Sequence, residues 1–243
     1  METARDQALA EQMTVAEGGE ATGRPLSQRI VVGRGSDMSL ASSARALARC
    51  GFRVLELLAR RHLRMPRDKV GLVIGFADGT SAPVYRETVV VQGARSAPVF
   101  LAVSFRLRLI KGNRWGHALF RAESILNTVL FAGFRGLVSK LWLRHDQHDV
   151  YRGLYEYESA DLAERYVNAL WWVLALVSEP DSIRYVIVPG LFLDDLLAKP
   201  SVLDDAGEGA EQWWRPISYS IGDGMADPFE RPHDREKSTE RAE

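Results

Sequence analysis

The sequence predicts an α+β protein built on a ferredoxin-like βαββαβ domain. Four segments have the alternating or short apolar patterns of strands, at residues 99–109, 137–144, 150–157 and 182–188. Two segments with helical periodicity, at 114–133 and 159–177, follow the first and the third of these strands. The second and third strands flank the polar turn HDQHD, which favours a hairpin. This order gives one antiparallel sheet with both helices on one face.

The individual elements support this order. Five apolar residues of the first strand alternate onto one face, namely Val99, Leu101, Val103, Phe105 and Leu107. Ser159 is suited to cap the second helix, and Asp161 follows in its first turn, where a negative charge complements the helix dipole. With both helices on one side, the other face of the sheet needs a cover. A second copy of the chain is the predicted cover, which would give a dimeric α+β barrel.

Three further segments surround this domain. The predicted divisions are a disordered N-terminal segment, an added helix and β-hairpin, the ferredoxin-like domain and a mostly disordered tail, at residues 1–36, 37–98, 99–199 and 200–243. The hairpin is centred on Asp78-Gly79, a dipeptide suited to a tight turn, and Pro83 predicts that its second strand is a sheet edge. Within the tail, the motif QWWRPISY is apolar enough to dock on the folded domain.

The added helix, at 39–64, has an apolar and a basic side. One arc carries Leu40, Ala44, Leu47, Val54, Leu55 and Leu58, and the opposite arc carries Arg45, Arg49, Arg53, Arg60 and Arg64. Such a helix can lie on a membrane surface or pack on the domain with solvated arginines. Because leucine and alanine dominate the apolar arc, packing is favoured. The second domain helix is apolar nearly all round from Ala169 to Val177, and the added helix is predicted to cover it.

Composition narrows the class of protein. The formal net charge of −1 does not favour a nucleic acid as partner, and the single Cys50 excludes an intrachain disulfide framework. No secretory leader is recognisable and no apolar run reaches the length of a membrane span, so a cytoplasmic protein is expected. The turn HDQHD contains two histidines and two aspartates, but its side chains are expected to splay into water, so no metal is predicted.

Several motifs together carry a family resemblance. AGFRG before the second strand, SKLW within it, and GLYEYESADLAERY across the third strand and second helix are similar to YdhR-type monooxygenases of the dimeric α+β barrel superfamily, which includes the antibiotic-biosynthesis monooxygenases. The resemblance spans residues 99–193. It implies a homodimer with a pocket between sheet and helices in each subunit. It also implies oxidation of phenolic or polycyclic substrates without metal or flavin, so no cofactor is expected.

Candidate site residues follow from the predicted faces. Tyr155 is predicted to line the pocket and to orient or deprotonate the substrate, with Asn127 or Glu123 as its hydrogen-bond partner. Its face is predicted to include Tyr151, Gly153, Ser139, Leu141 and Leu143. The opposite face is assigned Lys140, Trp142, Arg152 and Glu156, with a cation–π contact between Trp142 and Arg152. The predicted substrate-binding residues are Trp142, Lys140, Arg152, Phe105 and Tyr185.

The sequence therefore suggests a cofactor-independent monooxygenase-like enzyme for an aromatic or polycyclic small molecule. The alternative is a non-catalytic small-molecule-binding or assembly protein of the same fold, membrane-peripheral through the basic helix. Pairing of charges at a dimer interface competes with catalysis as the role of Lys140 and Arg152. Likewise, a structural role competes with catalysis for Tyr155.

Overall fold

The alternating segments form the centre of a curled antiparallel sheet. In the computed structural model, residues 30–35, 38–91, 98–108, 132–206 and 212–221 are described. Their strands are β1 Val31–Gly33, β2 Leu63–Arg64, β3 Leu72–Phe76, β4 Ser81–Val90, β5 Val99–Arg106, β6 Leu137–Leu143, β7 Val150–Tyr157, β8 Arg184–Pro189 and β9 Pro216–Ile221. The α-helices are α1 Leu40–Ala59, α2 Ala160–Val177 and α3 Leu193–Ala198, and short 3₁₀ helices cover Pro180–Ser182, Pro200–Ala206 and Gln212–Trp214.

The strand order confirms the ferredoxin-like core. The sheet runs β1-β8-β5-β7-β6-β4-β3-β9, with β2 beside the end of β4. The first and third strands of the predicted motif, β5 and β7, are therefore central, and the fourth and second, β8 and β6, flank them in antiparallel pairs. α2 connects β7 to β8 as predicted. The predicted first domain helix, at 114–133, lies outside the described residues except for its last two.

Strand β4 joins the two halves of the curled sheet. Its first residues pair with β3 and its later ones with β6, so the prediction that Pro83 marks an edge strand is wrong. Pro83 stands where β4 leaves one partner for the other, and its carbonyl accepts a hydrogen bond from the N–H of Arg144. A missing N–H is tolerated at such a change of partner. The predicted turn at Asp78-Gly79 is confirmed, with φ of 80° at Gly79.

One face of the sheet, here called the α2 face, packs against α2. Ser159 caps this helix by accepting a hydrogen bond from the N–H of Leu162, as predicted. The buried residues of α2 that enter this core are Ala163, Tyr166, Val167, Leu170 and Leu174. They meet Leu101, Tyr155 and Ile187 of the sheet. The sheet–helix core of the domain is therefore on this face.

Helix α1 packs on the outer side of α2, as predicted. The indole N–H of Trp172 donates to the carbonyl of Met38, just before α1. The buried stripe of α1, however, is Ser43, Cys50, Val54 and Leu57, whereas Leu40, Leu55 and Leu58 are exposed. The predicted apolar arc is thus correct only in part. The exposed leucines lie roughly 70–130° around the helix from the buried stripe, too far to reach the same neighbour.

The opposite face of the sheet, here called the tail face, is covered by the same chain. Its core includes Leu193, Leu196, Leu203, Trp213 and Trp214 from the segment after β8. The docking of QWWRPISY is thereby confirmed, and the boundary of the disordered tail moves beyond Ile221 because β9 pairs with β3. This cover removes the reason for predicting a second copy of the chain on that face.

The N-terminal boundary also needs correction. Residues 31–33, predicted within a disordered segment, form β1 along the edge of β8. The surrounding sequence is polar and predicted disorder, but pairing with β8 satisfies the backbone hydrogen-bonding groups of these three residues. The predictions for residues 1–29 and 222–243 lie outside the described residues.

The close contact between α1 and the loop after residue 131 depends on Gly133. A Cβ placed there would lie 2.1 Å from the Cys50 carbonyl oxygen. We expect Gly133→Ala to destabilise the protein by about 1–3 kcal/mol, since the helix must move away from the loop. In Gly51→Ala, the matched control, the added methyl meets no atom within 4 Å, and a gain of about 0.5–1 kcal/mol is expected because alanine favours helix. Urea unfolding measures both changes, and equal effects would contradict the contact.

Candidate functional site

The most unusual polar group on the α2 face is the amine of Lys140. Its residue is only 3% exposed, and its ammonium nitrogen lies 3.1 Å from the ring centroid of Trp142 and 4.6 Å from that of Tyr155. Burial, reinforced by the positive charge of Arg86, holds the pKa of Lys140 well below its ordinary value. The two rings favour the charged ammonium form of Lys140, whereas burial favours the neutral amine.

The register of β6 on β7 brings these side chains together. Lys140 is directly opposite Tyr155, and Trp142 is opposite Gly153. An irregularity between Leu137 and Ser139 shifts the strand by one residue relative to a regular ladder. Because a shift of one residue moves side chains to the other face, the predicted grouping of Tyr155 with Ser139, Leu141 and Leu143 is wrong.

Tyr155 is closed in by other tyrosines. It is 3% exposed, and its hydroxyl accepts a hydrogen bond of 3.0 Å from the hydroxyl of Tyr166 on α2. The ring centroids of Tyr155, Tyr157 and Tyr166 lie 5.2–6.4 Å apart. Burial, opposed by the hydrogen bond from Tyr166, raises the pKa of Tyr155. A buried phenol of raised pKa is a hydrogen-bond donor at neutral pH and a poor base.

Further aromatic rings lie toward one end of the sheet, partly exposed at Phe105 and Trp142 and buried at Tyr151. The rings of Phe105 and Tyr151 stack at 5.9 Å with 11° between their planes, and His145 meets Tyr151 edge-on. Trp142 is half-buried, and its indole N–H donates to the hydroxyl of Thr88 at 3.1 Å. These rings give this end of the α2 face an apolar, aromatic surface.

Arg86 supplies a second cation at this site. It lies opposite Trp142 in the ladder of β4 with β6 and is half-buried, with its guanidinium 5.6 Å from the ring centroid of Tyr85. A guanidinium in this position can hold a substrate anion while the amine of Lys140 exchanges a proton.

Arg152, predicted to bind substrate, lies on the tail face and is structural. Its guanidinium donates to Asp146 at 2.6 Å, to Asp78 at 3.0 Å and, through Nε, to the carbonyl of Trp213 at 3.0 Å. It also lies 4.5 Å from the ring centroid of Phe76. The predicted cation–π contact between Arg152 and Trp142 is wrong. Trp142 is opposite Gly153, and Arg152, the next residue on β7, points to the other face of the sheet. The side-chain nitrogen of Lys140 lies over the Trp142 ring instead.

The remaining candidates divide into three groups. Phe105 stacks on Tyr151. Tyr185 is on the α2 face but on β8, three strands away from Lys140 on β6, and its ring covers Gly33. Glu123 and Asn127 lie outside the described residues, so their pairing with Tyr155 stays a prediction. Among the described residues, Tyr166 partners the Tyr155 hydroxyl.

Three residues of the site escaped sequence reasoning. Tyr166 was visible only as an apolar position of the second helix, and its hydroxyl partner depends on how that helix crosses β7. Thr88 and Arg86 belong to the added hairpin, whose β4 was not expected to pair with β6. Alternation along β4 could have placed Arg86 and Thr88 on one face, but the sequence of β4 does not indicate that its neighbour is β6.

The turn HDQHD has a structural use for one aspartate. The Asp146 carboxylate accepts hydrogen bonds from the N–H groups of His148 and Val150 and from Arg152. His145 and Asp149 are 3.9 Å apart at the surface. Within the described ranges, no group of three or more histidine, cysteine, aspartate or glutamate side chains is arranged to hold a metal ion. In the same residues, no helix combines the length and apolar character needed to cross a membrane.

Comparison with known proteins gives similarity in fold terms only. No protein-family model and no curated protein matches the chain, so the YdhR-type resemblance stays a prediction. Among solved structures, the chain is similar to an uncharacterised ferredoxin-fold protein related to antibiotic biosynthesis monooxygenases from Listeria monocytogenes 4b F2365. The two are 11% identical over 67% of this chain and 94% of that one, with a TM-score of 0.34.

Two other solved structures are similar at the same level. The haem-degrading enzyme LmHde from Listeria monocytogenes is 11% identical over 65% of this chain and 97% of its own, with a TM-score of 0.28. A major regulator of staphylococcal pathogenesis is 13% identical over 65% and 95%, with a TM-score of 0.29. These likenesses carry no site residue across, and the ferredoxin-like assignment of the described core depends on its own strand order.

Proposed function

We propose that the protein processes a small aromatic molecule on the α2 face, with Lys140 as the base that removes a substrate proton. The observation that carries the proposal is the buried amine of Lys140 between two aromatic rings, one of which, Trp142, is half-buried. Burial favours the neutral amine, which can accept a proton, and the rings stabilise the ammonium once it forms. Arg86 then faces the substrate anion.

The base in this proposal is Lys140 and no longer Tyr155. Tyr155 has a raised pKa and its hydroxyl receives a hydrogen bond from Tyr166, so it keeps its proton at neutral pH. Its ring contributes instead to the environment of the amine, 4.6 Å from the nitrogen. Burial that lowers the pKa of a lysine is a well-established way to obtain a neutral amine that acts as a base.

The finer proposal is oxidation by dioxygen. Proton transfer to Lys140 leaves a substrate carbanion or phenolate, which gives electrons to dioxygen. For an aryl ketone with a doubly benzylic methylene, one dioxygen converts the CH₂ group to a carbonyl: two C–H bonds break, one oxygen atom enters the product and the other leaves as water. The four electrons taken from the carbon equal the four that dioxygen accepts. The substrate supplies all the reducing equivalents, and the protein supplies the base and the apolar surface.

Oxygen uptake with anthrone as the probe tests this function. We expect wild-type protein to consume one dioxygen per anthraquinone formed, with a rate that rises with pH as Lys140 loses its proton. Lys140→Met should lower the rate by about 10²–10⁴-fold, the usual contribution of a general base. The exposed Lys199→Met is the matched control and should leave the rate unchanged. Equal rates in wild type and Lys140→Met would refute the role of Lys140.

The stability of Lys140→Met provides a readout independent of the substrate. Since the folded pKa of Lys140 is below the unfolded one, the unfolded chain binds more protons between the two values. Wild-type stability should therefore rise with pH across that window, and Lys140→Met should lose this rise and be more stable at neutral pH. A less stable Lys140→Met would mean that the amine is a structural group.

The second candidate function is a non-catalytic binding or assembly protein. The close packing of Tyr155, Tyr157 and Tyr166 favours it, because these buried rings fill the sheet–helix interface beside Lys140. A wild-type protein that shows the stability profile above but no oxygen uptake with any aryl ketone would support this alternative over the enzyme.

A further inference from the structure

A second site lies away from the Lys140 amine, in a groove between α1, the loop at residues 132–136 and α2. The groove encloses about 690 Å³, within the range of small-molecule sites. Its polar lining is dominated by five arginines: Arg45, Arg49 and Arg53 of α1, Arg135 of the loop and Arg165 of α2. Phe134 of the loop separates it from Tyr166 of the α2 face, with the two rings 5.1 Å apart.

The positive charge of this groove is not neutralised by the described residues. None of the five arginines forms an ion pair with a carboxylate of the described ranges, and the Glu56 carboxylate at the groove is engaged by Arg60 at 3.1 Å. The three arginines of α1 are spaced four residues apart, so they stack as like charges on successive turns. Like charges at this spacing destabilise a helix, so the row does not serve α1 itself.

The donors of the groove are available for an acceptor. The Nε atom of Arg53 is buried and has no hydrogen-bond partner in the described structure. Within the described ranges, the side chain of Arg49 donates only to the carbonyl of Arg45, and that of Arg45 only to the hydroxyl of Ser42. The thiol of Cys50 also lines the groove, but burial raises its pKa to about 12, so it is not a nucleophile there. The groove is equipped to bind an anion and not to react with one.

We propose that this groove binds a ligand carrying two or more phosphate groups. Guanidinium forks match phosphate oxygens in paired hydrogen bonds, and five of them from three chain segments suit several phosphates better than a single carboxylate. The ligand is either a soluble polyphosphate compound or a phosphorylated lipid headgroup. A lipid headgroup would bring the membrane surface against the neighbouring face of α1. There Phe52, Leu55 and Leu58 are 74%, 64% and 45% exposed and could insert among the lipids.

Full-length protein is titrated with tripolyphosphate by calorimetry and sedimented with phosphatidylcholine vesicles containing phosphatidylinositol 4,5-bisphosphate. Saturable one-to-one binding of tripolyphosphate identifies a soluble ligand; binding to these vesicles but not to tripolyphosphate identifies a headgroup. Each result supports the site. Binding should weaken roughly a hundredfold in Arg49→Gln with Arg53→Gln, since each charge-assisted hydrogen bond lost is worth about tenfold or more.

The control is Arg61→Gln with Arg64→Gln, which removes the same charge from exposed positions beyond the end of α1. It should change binding by less than about twofold. Equal weakening in the two double variants would reduce the effect to overall charge and overturn the site. Binding to neither probe would overturn it as well, and so would equal binding to vesicles in which phosphatidylserine supplies the same negative charge.

Discussion

Replacing Arg152 with methionine is expected to destabilise the protein by about 3–5 kcal/mol. The guanidinium is buried and joins Asp146, Asp78 and the carbonyl of Trp213, so its loss strands a buried carboxylate that is itself 1% exposed in its side chain. Among the described residues, Asp146 forms no ion pair with another cation, and the Trp213 carbonyl loses its donor. Chemical denaturation at pH 7 measures the change.

A surface ion pair provides the control for Arg152. Arg106 lies 3.5 Å from Glu179, and both side chains are about two-fifths exposed, at 42% and 39%. Arg106→Met should therefore cost only about 0–1 kcal/mol. If the two variants lose equal stability, the cluster around Arg152 is no more important than an exposed pair.

The pH dependence of the Arg152 variant follows from Asp146. Burial works to raise the pKa of Asp146, but hydrogen bonds from the N–H groups of Val150 and His148 and from Arg152 outweigh it and lower the pKa. This carboxylate thus adds stability above its unfolded pKa of about 3.9, and the gain is lost as pH falls through the lower folded value. Without Arg152 the folded pKa rises, so acid unfolding should begin at a higher pH than in wild type.

Replacing Trp213 with alanine is expected to cost about 3–5 kcal/mol, the usual loss for a buried tryptophan. The residue is 2% exposed, and its ring lies between the tail-face core and the guanidinium of Arg184, 5.0 Å from its centroid. The change removes the ring but keeps the carbonyl that binds Arg152, so the loss measures the contacts of the ring and not the hydrogen bond to Arg152. Thermal and urea unfolding should agree on its size.

Tyr219 is the control from the same segment. It is 50% exposed on β9, so Tyr219→Ala should change stability by about 0.5 kcal/mol or less. A Trp213→Ala variant as stable as wild type would mean that the segment after residue 206 is an appendage and that the tail face is closed without it.

The order of the core strands could be predicted from sequence because alternation and turn residues are local signals. The residues that each side chain of a strand contacts could not be predicted in this way. The irregularity between Leu137 and Ser139 reverses the side on which Lys140 lies, and nothing within the segment SKLW marks it. The sequence therefore predicted Lys140 and Trp142 on the face opposite Tyr155, whereas the structure places all three on the α2 face.

Long-range pairing accounts for the other differences. The aromatic pair at 213–214 indicated docking, but the partner of β9 is β3, more than a hundred residues earlier in the chain. Similarly, the polar composition around residues 31–33 predicted disorder, whereas these residues pair with β8 and extend the sheet. In α1, periodicity found the helix but not which part of its wide apolar arc meets α2, since that depends on the crossing of two helices.

The pairing of β3 with β9 also sets when the protein can fold during synthesis. Strand β9 is synthesised more than a hundred residues after β3, so the nascent polypeptide holds an incomplete tail face until residues 216–221 leave the ribosome. Contacts of such long sequence separation slow folding because the intervening chain must first be closed into a loop. Until then the apolar residues beneath Trp213 and Trp214 are open to water, which is the kind of surface that makes partly folded chains prone to aggregation.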